Sequence, residues 1–283
     1  MKYLYYPGCS LKGTAREYDE SFRAVAPVLG IEFEEVENWG CCGATVAKSV
    51  DRDLSEKLPE KAILQAGKAG RDLLMLCPSC HLNHIRVIKK DSERKGQSAE
   101  LPPDRFPAAK QLLEVLAYEV GWEEIKKKIS RPLRGMRAVP YYGCLVIRPF
   151  GLGGRESLEN PRAMENLIAV SGGEPVSFPG KMDCCGGGLL LPKEKVALKL
   201  GTRILLEAKS LKPDCLVVAC PLCHFMLDAK QGASEREAGG KIGIPVLYLT
   251  QFLGLALGLA LRDLGFHRLI TSPRNLVGKL SKI

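Results

Sequence analysis

Leu73-Leu74-Met75-Leu76 is an unbroken apolar run between polar neighbours, and Leu216-Val217-Val218-Ala219 repeats it 143 positions later. Continuous apolar runs of this length suit strands buried on both faces of a parallel sheet. Around the first run, residues 3–6 read as a short strand. Residues 14–29 have helical spacing with Pro27 perturbing the end, 31–36 alternate apolar with acidic positions like a strand, and 54–69 are helical. Around the second, the same order returns over 137–142, 161–170, 174–178 and 193–209. Strands alternating with helices predict parallel βαβ units. The expected fold is α/β, with two pseudo-symmetric repeat domains, each a small, mostly parallel sheet flanked by helices. They span 1–130 and 131–283 and join near Ser130-Arg131-Pro132. Residues 91–107 are polar, contain Pro102-Pro103 and read as a loop, and 269–283 read as a basic tail with a weak pattern.

With 283 residues, each unit is long enough to bury its own core. The formal charge of +9 does not point to nucleic acid, because the cations lie among acidic neighbours, as in Glu123-Glu124-Ile125-Lys126-Lys127-Lys128. Such a run is a solvated helix face, and thiolates around a cofactor would offset the excess. The start, Met1-Lys2-Tyr3-Leu4-Tyr5-Tyr6-Pro7-Gly8, does not read as a secretory signal. The longest apolar stretch, 252–261, is half a membrane span and ends at Arg262-Asp263. A cytoplasmic protein without a transmembrane segment is expected. Eleven cysteines in such a chain imply metal or redox chemistry rather than disulfides.

The cysteines fall into two series. Cys9, Cys41-Cys42 and Cys77-Pro78-Ser79-Cys80 form the first, and Cys144, Cys184-Cys185 and Cys220-Pro221-Leu222-Cys223 the second. In both, 33 residues separate the glycine of Cys-Cys-Gly from the C-x-x-C. This is an internal duplication. Tyr6-Pro7-Gly8-Cys9 echoes Tyr141-Tyr142-Gly143-Cys144, and Cys80-His81 echoes Cys223-His224. From first cysteine to doublet the gap is 31 residues in one half and 39 in the other, the extra length falling in the Gly-rich 150–154. Lys110-Gln111-Leu112-Leu113 resembles Thr250-Gln251-Phe252-Leu253, so each unit is expected to end in a similar helix.

This frame puts Cys9, Cys77, Cys144 and Cys220 at the carboxyl ends of strands, where such sheets bind ligands. Adjacent side chains on extended backbone point to opposite faces. Aiming both thiols of a doublet at one object therefore takes a sharp turn, which Gly43 and Gly186 permit. In each C-x-x-C the proline suits the first helical position, and the helix N-terminus then favours the thiolate.

Three chemistries are open to such sets. Structural zinc takes four ligands and leaves one thiol of five spare. Both Cys77-Pro78-Ser79-Cys80-His81 and Cys220-Pro221-Leu222-Cys223-His224 match the C-x-x-C-H of covalent haem, but haem leaves the doublets without a role. A multi-iron cluster employs all five thiolates if one bridges two irons. A cubane takes four, so five point to an unusual cluster whose geometry the spacing does not name.

The doubled pattern, Cys-x31-Cys-Cys-Gly-x33-Cys-Pro-x-Cys followed by Cys-x39-Cys-Cys-Gly-x33-Cys-Pro-x-Cys, resembles the CCG domains of the heterodisulfide reductase B-subunit family. Tyr6-Pro7-Gly8-Cys9-Ser10, Trp39-Gly40-Cys41-Cys42-Gly43-Ala44, Arg148-Pro149 and Glu159-Asn160-Pro161 extend the match along nearly the whole chain. The resemblance implies two non-cubane [4Fe-4S] clusters. One would sit on Cys9, Cys41, Cys42, Cys77 and Cys80, the other on Cys144, Cys184, Cys185, Cys220 and Cys223. It further implies one component of an oxidoreductase complex, working through those clusters on a disulfide or a sulfur carrier, in either direction, as in bacterial sulfur-oxidising relatives. Electrons would pass through ferredoxin-like and flavin-containing redox subunits. A non-catalytic electron-transfer or scaffold role is the alternative, as is a zinc site in one half.

No flavin or nucleotide motif is present, since Gly151-Leu152-Gly153-Gly154 lacks the strand-to-helix context of GxGxxG. Cys215, without a counterpart in the first repeat, reads as a core thiol among Leu216-Val217-Val218. His81 and His224 are candidates to donate to cluster sulfur or to shuttle a proton, and otherwise read as satisfied local donors. Trp39 reads as core beside the first doublet. Arg148, Lys181 and Lys193 are candidate cations for an anionic substrate. Residues 250–261, apolar almost all round, predict a helix packed between domains or between subunits, those of a homo-oligomer included.

Overall fold

A computed structural model describes residues 1–93, 101, 106–149 and 151–281. Among these, the first half carries β1 (Lys2–Tyr6), β2 (Glu32–Glu35), β3 (Leu73–Met75) and β4 (Ala109–Gln111), ordered β2-β1-β3-β4. The second carries β5 (Arg137–Tyr141), β6 (Glu174–Pro175), β7 (Cys215–Val218) and β8 (Val246–Tyr248), ordered β6-β5-β7-β8. All six pairings are parallel. The expected α/β pair of repeats is therefore present. Leu73, Leu74, Met75 and all of β7, including Cys215, are fully buried, as continuous apolar runs in a parallel sheet must be.

The strands β4 and β8 were not legible as strands, and they correct the repeat alignment. Leu73 pairs with Ala109 and Leu216 pairs with Val246, so Gln111 corresponds to Tyr248 rather than to Gln251. Gln251 instead lies in the helix Leu249–Ala256, where its side chain accepts from Tyr248 N at 2.9 Å. A helix does follow the fourth strand in each unit, as expected.

That helix is shorter than 250–261. It stops at Ala256, and Gly258 takes φ +77° two residues on. All eight of its residues are buried because it packs on Arg16–Val28 of the first half, with Ser21 Oγ and Thr250 Oγ1 2.6 Å apart. In return, Trp122–Lys128 of the first half packs on Ala163–Val170 of the second. The two repeats thus clasp each other by their closing helices. The expected loop at 91–107 lies largely outside the described residues, with 91–93 closing the helix Pro78–Glu93. The described part of the basic stretch, 269–281, docks on its own repeat: the helix Arg274–Leu280 buries Leu276 and Leu280, and Lys279 Nζ bonds Gly135 O and Asp214 Oδ2, both at 2.6 Å. Among the described residues no helix is long and apolar enough to cross a membrane.

Candidate metal centres

The two central strands of each sheet carry cysteines to its carboxyl end. β1 runs through Tyr6 and Gly8 into Cys9, and β3 through Leu76 into Cys77; β5 and β7 lead likewise to Cys144 and Cys220. Helices beginning at Pro78 and Pro221 hold Cys80 and Cys223 in their first turn. The doublets arrive from the other side. Cys80 is hydrogen-bonded to both Cys42 and Cys77, and Cys9 lies in the electrostatic reach of Cys41, Cys42 and Cys77. In the second half Cys223 is bonded to Cys185 and Cys220, and Cys144 to Cys184. All ten cysteines predicted as ligands thus assemble in two sets of five.

Each set has an outer and an inner side. Cys9, Cys41 and Cys184 are exposed and Cys144 is half-buried, whereas Cys42, Cys77, Cys80, Cys185, Cys220 and Cys223 are buried. Hydrogen bonds from the shared thiols of Cys80 and Cys223 lower the pKa of Cys42, of Cys77, to about 7, and of Cys185, while Cys80 and Cys223 are themselves pushed well up. The backbone N–H groups of Ser79 and Cys80 also bond Cys77, the stabilisation expected of a helix start.

The doublet turn is resolved in the same way twice. Gly43 N donates to Cys41 Sγ and Gly186 N to Cys184 Sγ, both at 3.4 Å, with the glycines at φ +75° and +82°. The first thiol is thereby held outward while the second turns in. Gly8 and Gly143, both at φ +65°, clear the floor of the sets: a Cβ would lie 3.1 Å from Cys80 Sγ at Gly8 and 2.7 Å from Cys223 Sγ at Gly143.

Two tyrosines that sequence reasoning treated only as repeat markers pin the doublets. Tyr6 OH donates to Gly40 O at 2.5 Å and Tyr141 OH to Asp183 O at 2.6 Å, in each case the carbonyl just before the doublet. Burial pushes both phenols far up, and the charges of four thiols of its own set add to the push on each. Asn83 adds a bridge in the first half, donating to Cys42 O at 2.7 Å and Ser55 O at 2.8 Å.

Other candidates are placed differently. His81 and His224 are buried, and Nε2 of each lies 3.0 Å from a strand carbonyl, Ala109 O and Val246 O. A carbonyl only accepts, so Nε2 carries the proton and gives it to backbone. Burial lowers both imidazoles, His81 to about 4, so the neutral form is held. Lys181 is no open cation: its buried Nζ bonds Asn160 Oδ1, Pro161 O and Glu165 Oε1 at 2.6 to 2.9 Å. Its carbonyl takes both Tyr142 N and Gly143 N, so it fixes the turn that carries Cys144. Arg148 and Lys193 are exposed. Trp39 is partly exposed and donates to Glu35 Oε1 at 3.2 Å. Among the described residues, no group of three His, Cys, Asp or Glu side chains is spaced to hold a single metal ion.

Twin parallel sheets, each with five thiols at its carboxyl end, define a duplicated cysteine-rich protein. The chain belongs to the cysteine-rich (CCG) domain family, whose model matches residues 3–84 and 138–228. It is 33% identical over 281 residues to the 8-methylmenaquinol:fumarate reductase membrane anchor subunit of Wolinella succinogenes, covering 96% of this chain and 98% of that one. It is 27% identical over 290 residues to the B subunit of the ferredoxin/F(420)H(2)-dependent CoB-CoM heterodisulfide reductase of Methanosarcina acetivorans, covering 98% and 96%. The resemblance read from the motifs holds. A crystal structure of a hypothetical protein from Helicobacter pylori shares the fold, with a TM-score of 0.70 at 11% identity over 95% of this chain. This chain spans about half of that one, 52%.

Proposed function

We propose that this chain is the iron–sulfur subunit of an oxidoreductase complex, organised as units 1–130 and 131–283, each holding one non-cubane [4Fe-4S] cluster. The five-thiol sets named above are the ligands. One observation carries the reading: in both halves five thiols converge at the carboxyl end of a parallel sheet. That donor set fits a multi-iron cluster, and zinc in one half would leave one thiol of its five idle.

Bound there, iron–sulfur clusters supply single electrons, and two of them supply the pair that an S–S bond takes up with two protons to give two thiols. The chain's own part is to hold the inner thiols dry and leave the outer ones open. Exposed Cys9, Cys41 and Cys184 mark the open side of the sets. Arg148 and Lys193 are the exposed candidates to meet an anionic substrate, since Lys181 is committed internally. Electrons would come through ferredoxin-like and flavin-containing partner subunits in the cytoplasm.

The relative at 33% identity is named for a quinol:fumarate reductase, which supports a second reading in which the same sets relay electrons between a quinol and a partner protein. An anaerobic assay separates the two. With reduced viologen and a panel of small disulfides, the loaded chain is expected to oxidise the viologen as thiols appear, two electrons per S–S bond. Viologen oxidation with no disulfide, coupled to two-electron reduction of a menaquinone analogue to its quinol in the presence of partner subunits, would replace the first reading by the second.

A further inference from the structure

The histidine that follows each C-x-x-C begins a chain of contacts that ends in the other repeat. His81 Nε2 bonds Ala109 O and His224 Nε2 bonds Val246 O, both at 3.0 Å, which ties the C-x-x-C turn to the first residue of the fourth strand. Two residues on, the last residue of that strand meets the same imidazole. Gln111 Nε2 lies 3.1 Å from His81 Nδ1, and the Tyr248 ring stacks on the His224 ring at 4.2 Å and 12°.

Both side chains then cross between the halves. Gln111 Nε2 donates to Val146 O at 3.1 Å, two residues past Cys144. Tyr248 stacks on Tyr18 at 4.0 Å and 12°, in the helix that follows Cys9. Glu17 of that helix also faces His224, with Oε1 3.6 Å from Nδ1. Gln111, Tyr248, Tyr18 and Glu17 are all buried.

An amide and a phenol share one repeat position but no acid–base chemistry, and the Tyr248 hydroxyl has no hydrogen-bond partner among the described residues. What the two have in common is contact. We propose that Gln111 and Tyr248 are positioning residues that act across the repeats, each coupling the C-x-x-C of its own half to the first-cysteine segment of the other. This rests on the reading that the thiol sets hold clusters. Outer residues that orient metal ligands commonly change metal retention by tenfold or more when lost, and here the loss would be felt in the opposite half.

The test loads one set at a time. In a Cys185→Ser background the first set alone is filled, and Tyr248→Leu is expected to shift the midpoint potential and electron paramagnetic resonance signature of that cluster. Its release to a chelator should quicken roughly tenfold. Tyr248→Phe keeps the ring and should match the parent. In the mirror experiment, Gln111→Leu in a Cys42→Ser background should alter the second-half cluster, and this arm decides the matter if Tyr248→Leu does not fold. Iron bound normally, with potentials and release unchanged by both Tyr248→Leu and Gln111→Leu, would overturn the coupling. Absence of iron from the reconstituted wild-type chain as well as from both single-set backgrounds would instead overturn the cluster reading beneath it.

Discussion

Cys185→Ser is expected to lower the iron content from about eight to about four per chain. Cys185 is the inner thiol of its doublet, bonded to Cys223 and accepting Gly187 N at 3.4 Å. A serine there offers a hard, protonated oxygen in place of a buried thiol whose pKa its neighbours lower, and the second set cannot close around irons without it. The first set draws all five thiols from its own half of the chain, so its iron stays. Iron and acid-labile sulfide, with Mössbauer spectra of 57Fe-loaded protein, read the result. Full iron in the variant would remove Cys185 from the ligands, and loss of all iron would mean that the sets do not assemble separately.

Gly186→Ala should be nearly as damaging although it removes no ligand. Gly186 sits at φ +82°, and an added Cβ would lie 2.7 Å from both Cα and the carbonyl oxygen of Ala197, backbone atoms that do not swing aside. A left-handed non-glycine residue costs about 1–2 kcal/mol and overpacking about 1–3 kcal/mol. Together a loss of roughly 2–5 kcal/mol is expected. Relieving the clash would move Gly186 N away from Cys184 Sγ, so iron in the second half should fall with stability. Gly188→Ala is the control, because a Cβ there meets nothing within 4 Å. Thermal melting and iron content of the two variants should differ clearly; equal values would mean that the doublet turn does not depend on this packing.

Much of the site was written in cysteine spacing, because a duplicated chain shows its functional positions twice. The placement of Cys9, Cys77, Cys144 and Cys220 followed from strand ends alone, and buried Cys215 followed from its apolar neighbours. The fourth strands did not follow. Ala109-Lys110-Gln111 is three residues without apolar alternation, and Val246-Leu247-Tyr248 merges into the apolar helix behind it. Missing them misaligns Gln111 and hides the contacts across the repeats. The setting of Lys181 is hidden for a related reason: sequence supplies its charge, but its partners Asn160, Pro161 and Glu165 lie 16 to 21 positions away and bury it only on folding. The pinning tyrosines did have a signal, since Tyr6 and Tyr141 end β1 and β5 at matching positions.

Metal and sulfide analysis of the wild-type chain, reconstituted anaerobically, tests the central claim most directly. Two four-iron clusters give about eight irons and about eight acid-labile sulfides per chain with no tightly held zinc. One zinc together with four irons would contradict the symmetric pair of clusters.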